Sequence, residues 1–262
     1  MKILTNIASI QPPLPLLGTI VSLVPSQTEL LFELGLAERV VGVTKYCIYP
    51  RAAQQKTRVG GTKQVDIGII EQLNPAFILG NKEENEIGFM TQLAQKYPVF
   101  VSDIFTLDDA LAMIHEVGSL TDTAEKAAKI ARTIRENFDK MPRNPSNREQ
   151  RVAYLIWRKP YMAAAASTFI DAMLREIGFK NAFADLVRYP LLSAADLVAA
   201  KPDCIFLSSE PFPFRQKHIE ELQQICPTAK IRLVDGEFFS WYGSRLQAAP
   251  RYFESLLAEL NS

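Results

Sequence analysis

The sequence predicts an α/β fold of two similar lobes with parallel-type sheets, joined by a long backbone helix. Three observations predict it. Short β-branched runs alternate with helical periodicity at both ends of the chain, which favours parallel sheets. A nearly continuous helical pattern over 106–141 interrupts that alternation. The second rhythm then repeats the first: "IIEQLNPAFILGNKEEN" parallels "LVAAKPDCIFLSSEPFPF", each an amphipathic helix, a proline, a buried strand and a charged loop. One continuous doubly wound domain is the alternative, and the polar linker "PRNPSNREQ" with the restart after it weighs against that.

The elements follow in order. "TIVSLV" reads as a strand, and "SQTELLFELGL" as a helix with Ser26 as N-cap and Glu29 closing a capping box. "RVVGVT" is a strand, "VDIGIIEQLNP" a short helix ended by Pro75, "AFILG" a strand, "NEIGFMTQLAQKY" a helix and "VFVS" a strand. In the helical stretch 106–141, Gly118 is the candidate bend. After the linker come strand "VAYLIW", helices "STFIDAMLREIGF" and "SAADLVAAKP", strand "CIFLSS", helix "KHIEELQQI", strand "IRLVDG" and a final helix in "RLQAAPRYFESLLAEL". The expected boundaries are an N-terminal lobe at 1–104, a connecting helix and linker at 105–150, and a C-terminal lobe at 151–262.

Composition excludes several classes. With 29 basic against 29 acidic side chains there is no basic excess of the kind nucleic-acid binding demands. Cys47, Cys204 and Cys226 are far apart and odd in number, which argues against a disulfide framework or a zinc cage. No apolar run approaches membrane-spanning length. In "MKILTNIASIQPPLPLLGTIVSLVP" the only early base is Lys2, and prolines interrupt any signal-like core. A cytoplasmic location is therefore expected; a periplasmic or surface-anchored one is the alternative if a leader was removed before Met1. Nucleophile-elbow, phosphate-loop, dinucleotide and zinc-protease motifs are missing. Of two histidines, His115 lies mid-helix and His218 opens a helix as a solvated first-turn residue, so neither a histidine base nor a metal triad is expected. No catalytic and no metal-ligating residues are assigned.

Ligands of open parallel sheets bind outside the carboxyl ends of the strands. Those ends carry Lys45 and Tyr46, the loop from Asn81 through Lys82, Glu83 and Glu84, Trp157 and Arg158, Glu210, and the segment after the last strand. That segment, "GEFFSWYGSRL", has loop composition but four large rings, and includes Trp241, Tyr242 and Arg245. Two such edges facing each other would make an aromatic-walled cleft with a few polar anchors, suited to a large, partly flat ligand. Each residue also has a plainer reading. Trp157 ends an apolar strand and reads equally as core, Glu83 and Glu84 suit a helix start, and Arg245 suits a local pair. "VGGTK" at 59–63 holds a glycine pair without phosphate-loop spacing.

Together "IVSLVPSQTELLFELGL", "VVGVTKYCIYP", "VGGTK", "NKEEN", "LSSEPFPF" and "WYGSRL" resemble the helical-backbone (class III) substrate-binding proteins. That family includes the vitamin B12-binding and iron-siderophore- or heme-binding proteins of ABC importers, and the resemblance is closest to the cobalamin-binding branch. It implies a ligand held between two lobes, with limited hinge motion. By position, Tyr46 and Trp241 match pocket aromatics, and Tyr242 follows. Thr62, with Lys63 beside it, falls where the B12 binder places a tryptophan. The glutamates that dock transporter-coupled members onto a permease fall at Gly68 and Ala195 here, with Asp66 and Asp196 as neighbours.

The expectation is a non-enzymatic protein that binds a corrinoid or another metal chelate such as heme. No cofactor is required, because the chelate is the ligand. An ABC permease is a candidate partner, although both docking glutamates are missing. The alternative is a cytosolic accessory protein or enzyme on the same fold.

Overall fold

The computed structural model describes residues 2–4, 15–144 and 149–261. Contacts divide the chain into two compact units. The first holds Met1–Ile104, Asp108–Arg135 and Tyr242–Gln247; the second holds Phe105–Leu107, Glu136–Trp241 and Ala248–Ser262.

The first unit is built on a sheet of β1 (Lys2–Leu4), β2 (Ile20–Ser22), β3 (Val40–Val43), β4 (Thr57–Arg58), β5 (Phe77–Asn81) and β6 (Val99–Ser102). Their spatial order is β1-β6-β5-β2-β3-β4, parallel throughout except for β1 against β6. Its helices are α1 (Pro25–Glu33), α2 (Ile67–Leu73), α3 (Ile87–Leu93), α4 (Leu107–Thr121) and α5 (Ala124–Lys140). β2 and β5 are buried along their whole length, as expected of parallel strands covered on both faces. Val21, Ile70, Ile78, Met90 and Val99 form one core cluster of this unit.

The second unit repeats the plan. β7 (Arg151–Trp157), β8 (Tyr161–Ala163), β9 (Lys180–Asn181), β10 (Leu191–Leu192), β11 (Cys204–Ser208) and β12 (Lys230–Val234) form its sheet. The order is β10-β8-β7-β11-β12, with β9 also on β7. β7, β11 and β12 run parallel, whereas β8 and β10 are antiparallel. The helices are α6 (Phe169–Glu176), α7 (Ala194–Ala200), α8 (Gln216–Ile225), α9 (Gly236–Ser240) and α10 (Ala249–Asn261). Ala153, Leu155, Leu197, Ile205, Leu207 and Leu222 lie at the centre of one core cluster.

Several local expectations change. The α1 N-cap is Val24, not Ser26, and no side chain caps it. Pro25 is the first helical residue, where its fixed φ and missing N–H suit a helix start, so Ser26 and Glu29 fall inside the helix. The stretch 106–141 is two helices rather than one. The break lies at Asp122, at φ 61°, and the Thr121 and Thr123 hydroxyls hydrogen bond across it at 2.8 Å. Gly118 lies within α4 and does not bend it; a Cβ there would collide with Ala127, so its missing side chain lets the first turn of α5 pack closely. The chain passes from the first unit to the second inside α5, after Arg135. "GEFFS" is the short helix α9, with the Asp235 side chain accepting from the Glu237 N–H as its cap. The final helix starts later than expected, at Ala249, after a 3-10 turn over Ser244–Gln247. Among the described residues no helix is long and apolar enough to cross a membrane.

Candidate functional site

In the first unit, the carboxyl ends of β2, β3, β5 and β6 carry a network of buried polar groups. Asn85 is its centre. Its Oδ1 accepts from the Asn81 N–H at 2.8 Å, and its Nδ2 donates to the carbonyls of Thr62 at 2.9 Å and Leu23 at 3.3 Å. Asn81 in turn donates to the Ser102 carbonyl at 3.1 Å and accepts from the Glu83 and Glu84 N–H groups at 2.8 and 3.2 Å. The two asparagines therefore fix the "NKEEN" loop, and with it Lys82, Glu83 and Glu84. Because Asn85 is buried, alanine there strands three backbone groups. Asn85→Ala is expected to lower the unfolding free energy by about 2–4 kcal/mol in urea titrations. Asn85→Asp keeps the acceptor for Asn81 but sets a carboxylate oxygen against the Thr62 and Leu23 carbonyls, and is expected to recover none of that.

Over this network lies the β3 loop. Tyr46 is 52% exposed, and Tyr49 and Lys45 are exposed beside it. The Lys45 ammonium sits 5.1 Å from the Tyr46 ring centroid. Gly61 eases the fit of the ring, since a Cβ there would stand 3.3 Å from Tyr46 Cε2. Thr62 is buried, so its side chain offers no open aromatic-sized surface at this position. Lys63 donates to the Glu83 carbonyl, and Lys82 pairs with Asp103 at 2.6 Å. Cys47 is buried between the Thr28 and Thr44 hydroxyls at 3.1 Å each, and burial pushes its thiol up from the usual value.

Part of the aromatic segment also belongs to the first unit. Tyr242 was expected to face a ligand, but only 5% of it is exposed. Burial first, and then Glu84, push its phenol well above the usual value, so it stays a neutral hydroxyl. Gly243 lies so close to α1 that a Cβ would stand 2.5 Å from the Ser26 carbonyl oxygen. Arg245 pairs with Glu29 of α1, Nε to Oε2 at 3.0 Å and Nη2 to Oε1 at 2.8 Å, and its guanidinium lies 4.7 Å over the Tyr49 ring. Glu29, expected from the sequence only as a capping-box residue, is thus the partner of Arg245. The two partners are 216 positions apart, beyond any local pattern.

In the second unit, Trp157 ends β7 with 42% of its surface exposed and meets Phe212 edge-on at 5.7 Å. Phe212 packs on Phe214 and on His218. His218 is buried rather than solvated: both phenylalanines cover its ring, and its Nδ1 accepts from the Arg215 N–H at 2.9 Å at the start of α8. Burial, and then the nearby Arg158, hold its pKa below the usual histidine value. Arg158 donates from Nε to both oxygens of Glu221, at 3.1 and 3.0 Å, and the Tyr161 hydroxyl donates to Oε1 at 2.6 Å. The guanidinium, with a smaller effect from Tyr161, holds the Glu221 carboxyl below the usual range.

Glu210 binds inward. Its Oε1 accepts from the Ser240 hydroxyl at 2.8 Å and from the Trp241 indole at 3.1 Å. Trp241, expected to face a ligand, is 7% exposed. A buried indole N–H needs an acceptor, and Glu210 supplies it. The structure thus separates the expected site residues into two sets. Lys45, Tyr46, Lys63, Lys82 and Trp157 present surface, while Thr62, Trp241 and Tyr242 are buried behind it. The remaining five, Glu83, Glu84, Arg158, Glu210 and Arg245, are intermediate in exposure and belong to neither set.

Gly68 and Ala195 both lie exposed in the first turns of α2 and α7. The neighbouring acids have local roles. Asp66 caps α2 by accepting from the Ile69 N–H at 3.0 Å, and Asp196 forms a capping box with Ser193. The Ser193 hydrogen bonds lower the Asp196 pKa.

Comparison with known proteins gives a consistent picture. A family model described as periplasmic binding protein matches residues 20–230. The chain is 23% identical over 247 residues to a vitamin B12-binding protein of Pectobacterium carotovorum, covering 92% of this chain and 89% of that one. It is 28% identical over 192 residues to the vitamin B12-binding protein of Vibrio cholerae, covering 72% and 70%. Among solved structures, the periplasmic vitamin B12-binding protein BtuF of Vibrio cholerae superposes with a TM-score of 0.78 at 22% identity, covering 93% of this chain and 98% of that one. The periplasmic heme-binding protein BhuT, in complex with two hemes, gives a TM-score of 0.82 at 21% identity, covering 93% and 99%.

Proposed function

The chain belongs to the periplasmic binding protein family, and we propose that it is a non-enzymatic binder of a flat metal chelate, a corrinoid or a heme-like ring. One observation carries this reading: large rings stand open at the carboxyl edges of both sheets. Tyr46 and Tyr49 are exposed beside the first sheet and Trp157 beside the second. Such rings offer stacking surface to a planar or apolar ligand. Lys45 and Lys63 reach its polar substituents. Glu83, Glu84 and Glu210 hold the loops that frame it, with Trp241 and Tyr242 as buried backing. The vitamin B12 and heme binders among its relatives support the chelate class.

On this reading the chain works on the periplasmic side, as the family's name describes, in place of the cytoplasmic location expected from the sequence. An ABC permease is its proposed partner. With Gly68 and Ala195 at the docking positions and Asp66 and Asp196 engaged in caps, that docking runs without the usual pair of glutamates.

The test is absorbance titration of the purified chain with cyanocobalamin, hemin and a ferric siderophore. The expected result is a saturable spectral change with at least one of them at micromolar concentration. No binding across all three would sink the reading.

A further inference from the structure

Two arginines at the carboxyl edges are each held by a carboxylate of their own unit. Arg245 is gripped through two nitrogens by Glu29 and covered by Tyr49. Arg158 is gripped by Glu221, whose Oε1 also accepts from the Tyr161 hydroxyl at 2.6 Å. Both pairs are largely shielded from water: the side chains of Arg245 and Glu29 are 15% and 22% exposed, and those of Arg158 and Glu221 are 22% and 32%. Each repeats one device, a guanidinium fork closed on a carboxylate.

We propose that Glu29 and Glu221 are specificity-determining residues, which withhold Arg245 and Arg158 from ligand carboxylates and so select neutral, amide-bearing chelates over carboxylate-bearing ones. This rests on the chelate-binding reading above. A guanidinium fork is the protein group best matched to a carboxylate, through two parallel N–H donors. Here both forks already face a carboxylate. A ligand carboxylate that approaches them must either displace an acid or sit beside one as a like charge. A neutral amide meets neither penalty, since it neither competes with the acid for the fork nor repels it.

The other cations at these edges do not replace the two forks. Lys82 pairs with Asp103, and Lys63 donates to the carbonyl of Glu83. Lys45 lies on the Tyr46 ring. Lys159, Arg215 and Lys217 are exposed on the second unit, and exposed ion pairs contribute little in water.

Matched ligands make the test direct. The full chain is titrated with cyanocobalamin and its monocarboxylic acid, in which one peripheral amide is a carboxylate, and with hemin and its dimethyl ester. The same four titrations are made on Glu221→Gln and Glu29→Gln, with thermal unfolding as a fold control. The wild type is expected to bind the neutral member of each pair about tenfold more tightly. Each variant is expected to narrow that ratio several-fold by strengthening the acid member, a change that a purely structural role for the carboxylates would not produce. The wild-type comparison stands even if a variant does not fold. Equal or tighter binding of the acid members by the wild type overturns the proposal, and so does a ratio unmoved in folded variants. Failure of all four ligands overturns this inference, and failure of the ferric siderophore as well overturns the chelate reading itself.

Discussion

Phe239→Ala is expected to lower the unfolding free energy by about 3–5 kcal/mol, the range for removing a fully buried aromatic ring. Phe239 is fully buried, and its ring lies 4.8 Å from Phe253, 5.0 Å from Tyr154 and 6.2 Å from Phe206. It thereby ties α9 to β7, β11 and α10 at once. A helix as short as α9, five residues with two adjacent phenylalanines, has almost no intrinsic stability. Packing of Phe239 is what makes it helical, so the substitution removes both the buried area and the reason for the turn. Phe238 provides the internal control. It is half-buried and stacks on Tyr252 alone at 4.6 Å among α10 residues, and Phe238→Ala is expected to cost about 1–2 kcal/mol. Urea unfolding of both variants decides the matter. If Phe239→Ala costs no more than Phe238→Ala, Phe239 is not the anchor of this segment.

That pair also marks the limit of what the sequence made legible. The apolar runs of β2, β3, β5, β6, β7, β11 and β12 and the amphipathic patterns of α2, α3, α6, α7 and α8 each appear as expected. Their signal lies in the residues themselves: a strand buried on both faces must be apolar along its length, while β12 at the sheet edge has the mixed pattern of a part-exposed strand. The edges were less legible. β8 and β10 have three and two residues, too few to show any period, and they turn the second sheet partly antiparallel. The helix break at Asp122 carries no glycine to announce it, whereas Gly118, which does, serves close packing instead.

The site divides in the same way. Strand-end position put Tyr46 and Trp157 at the carboxyl edges, where both are exposed, because that edge follows from topology alone. It could not tell which rings would stay open. Trp241 turns inward because Glu210 offers its indole an acceptor, and Tyr242 because the Ser26, Ser102 and Glu84 side of the first unit surrounds its hydroxyl. Nor could it pair Arg245 with Glu29, since that contact joins the first helix to a segment near the end of the chain. Long-range pairing of charges is a property of the folded surface, with no footprint in spacing.

Trp157→Ala is the substitution expected to weaken chelate binding most. An open indole at the end of a rigid strand is pre-ordered, so stacking on it costs a ligand little side-chain entropy. Phe212 holds the indole edge-on, and 42% of the residue's surface stays open to solvent. Tryptophans in such positions commonly account for about 2 kcal/mol of binding, or about thirtyfold in Kd. Since the ring is 42% exposed, its loss from the folded protein is milder, about 1–2 kcal/mol. Affinity and stability should therefore separate: a large rise in Kd in the absorbance titration, with unfolding midpoints only slightly lowered. Trp157→Phe keeps a smaller stacking face and is expected to restore most of the affinity. Equal Kd values for the wild type and both variants would remove this edge of the second sheet from the binding surface.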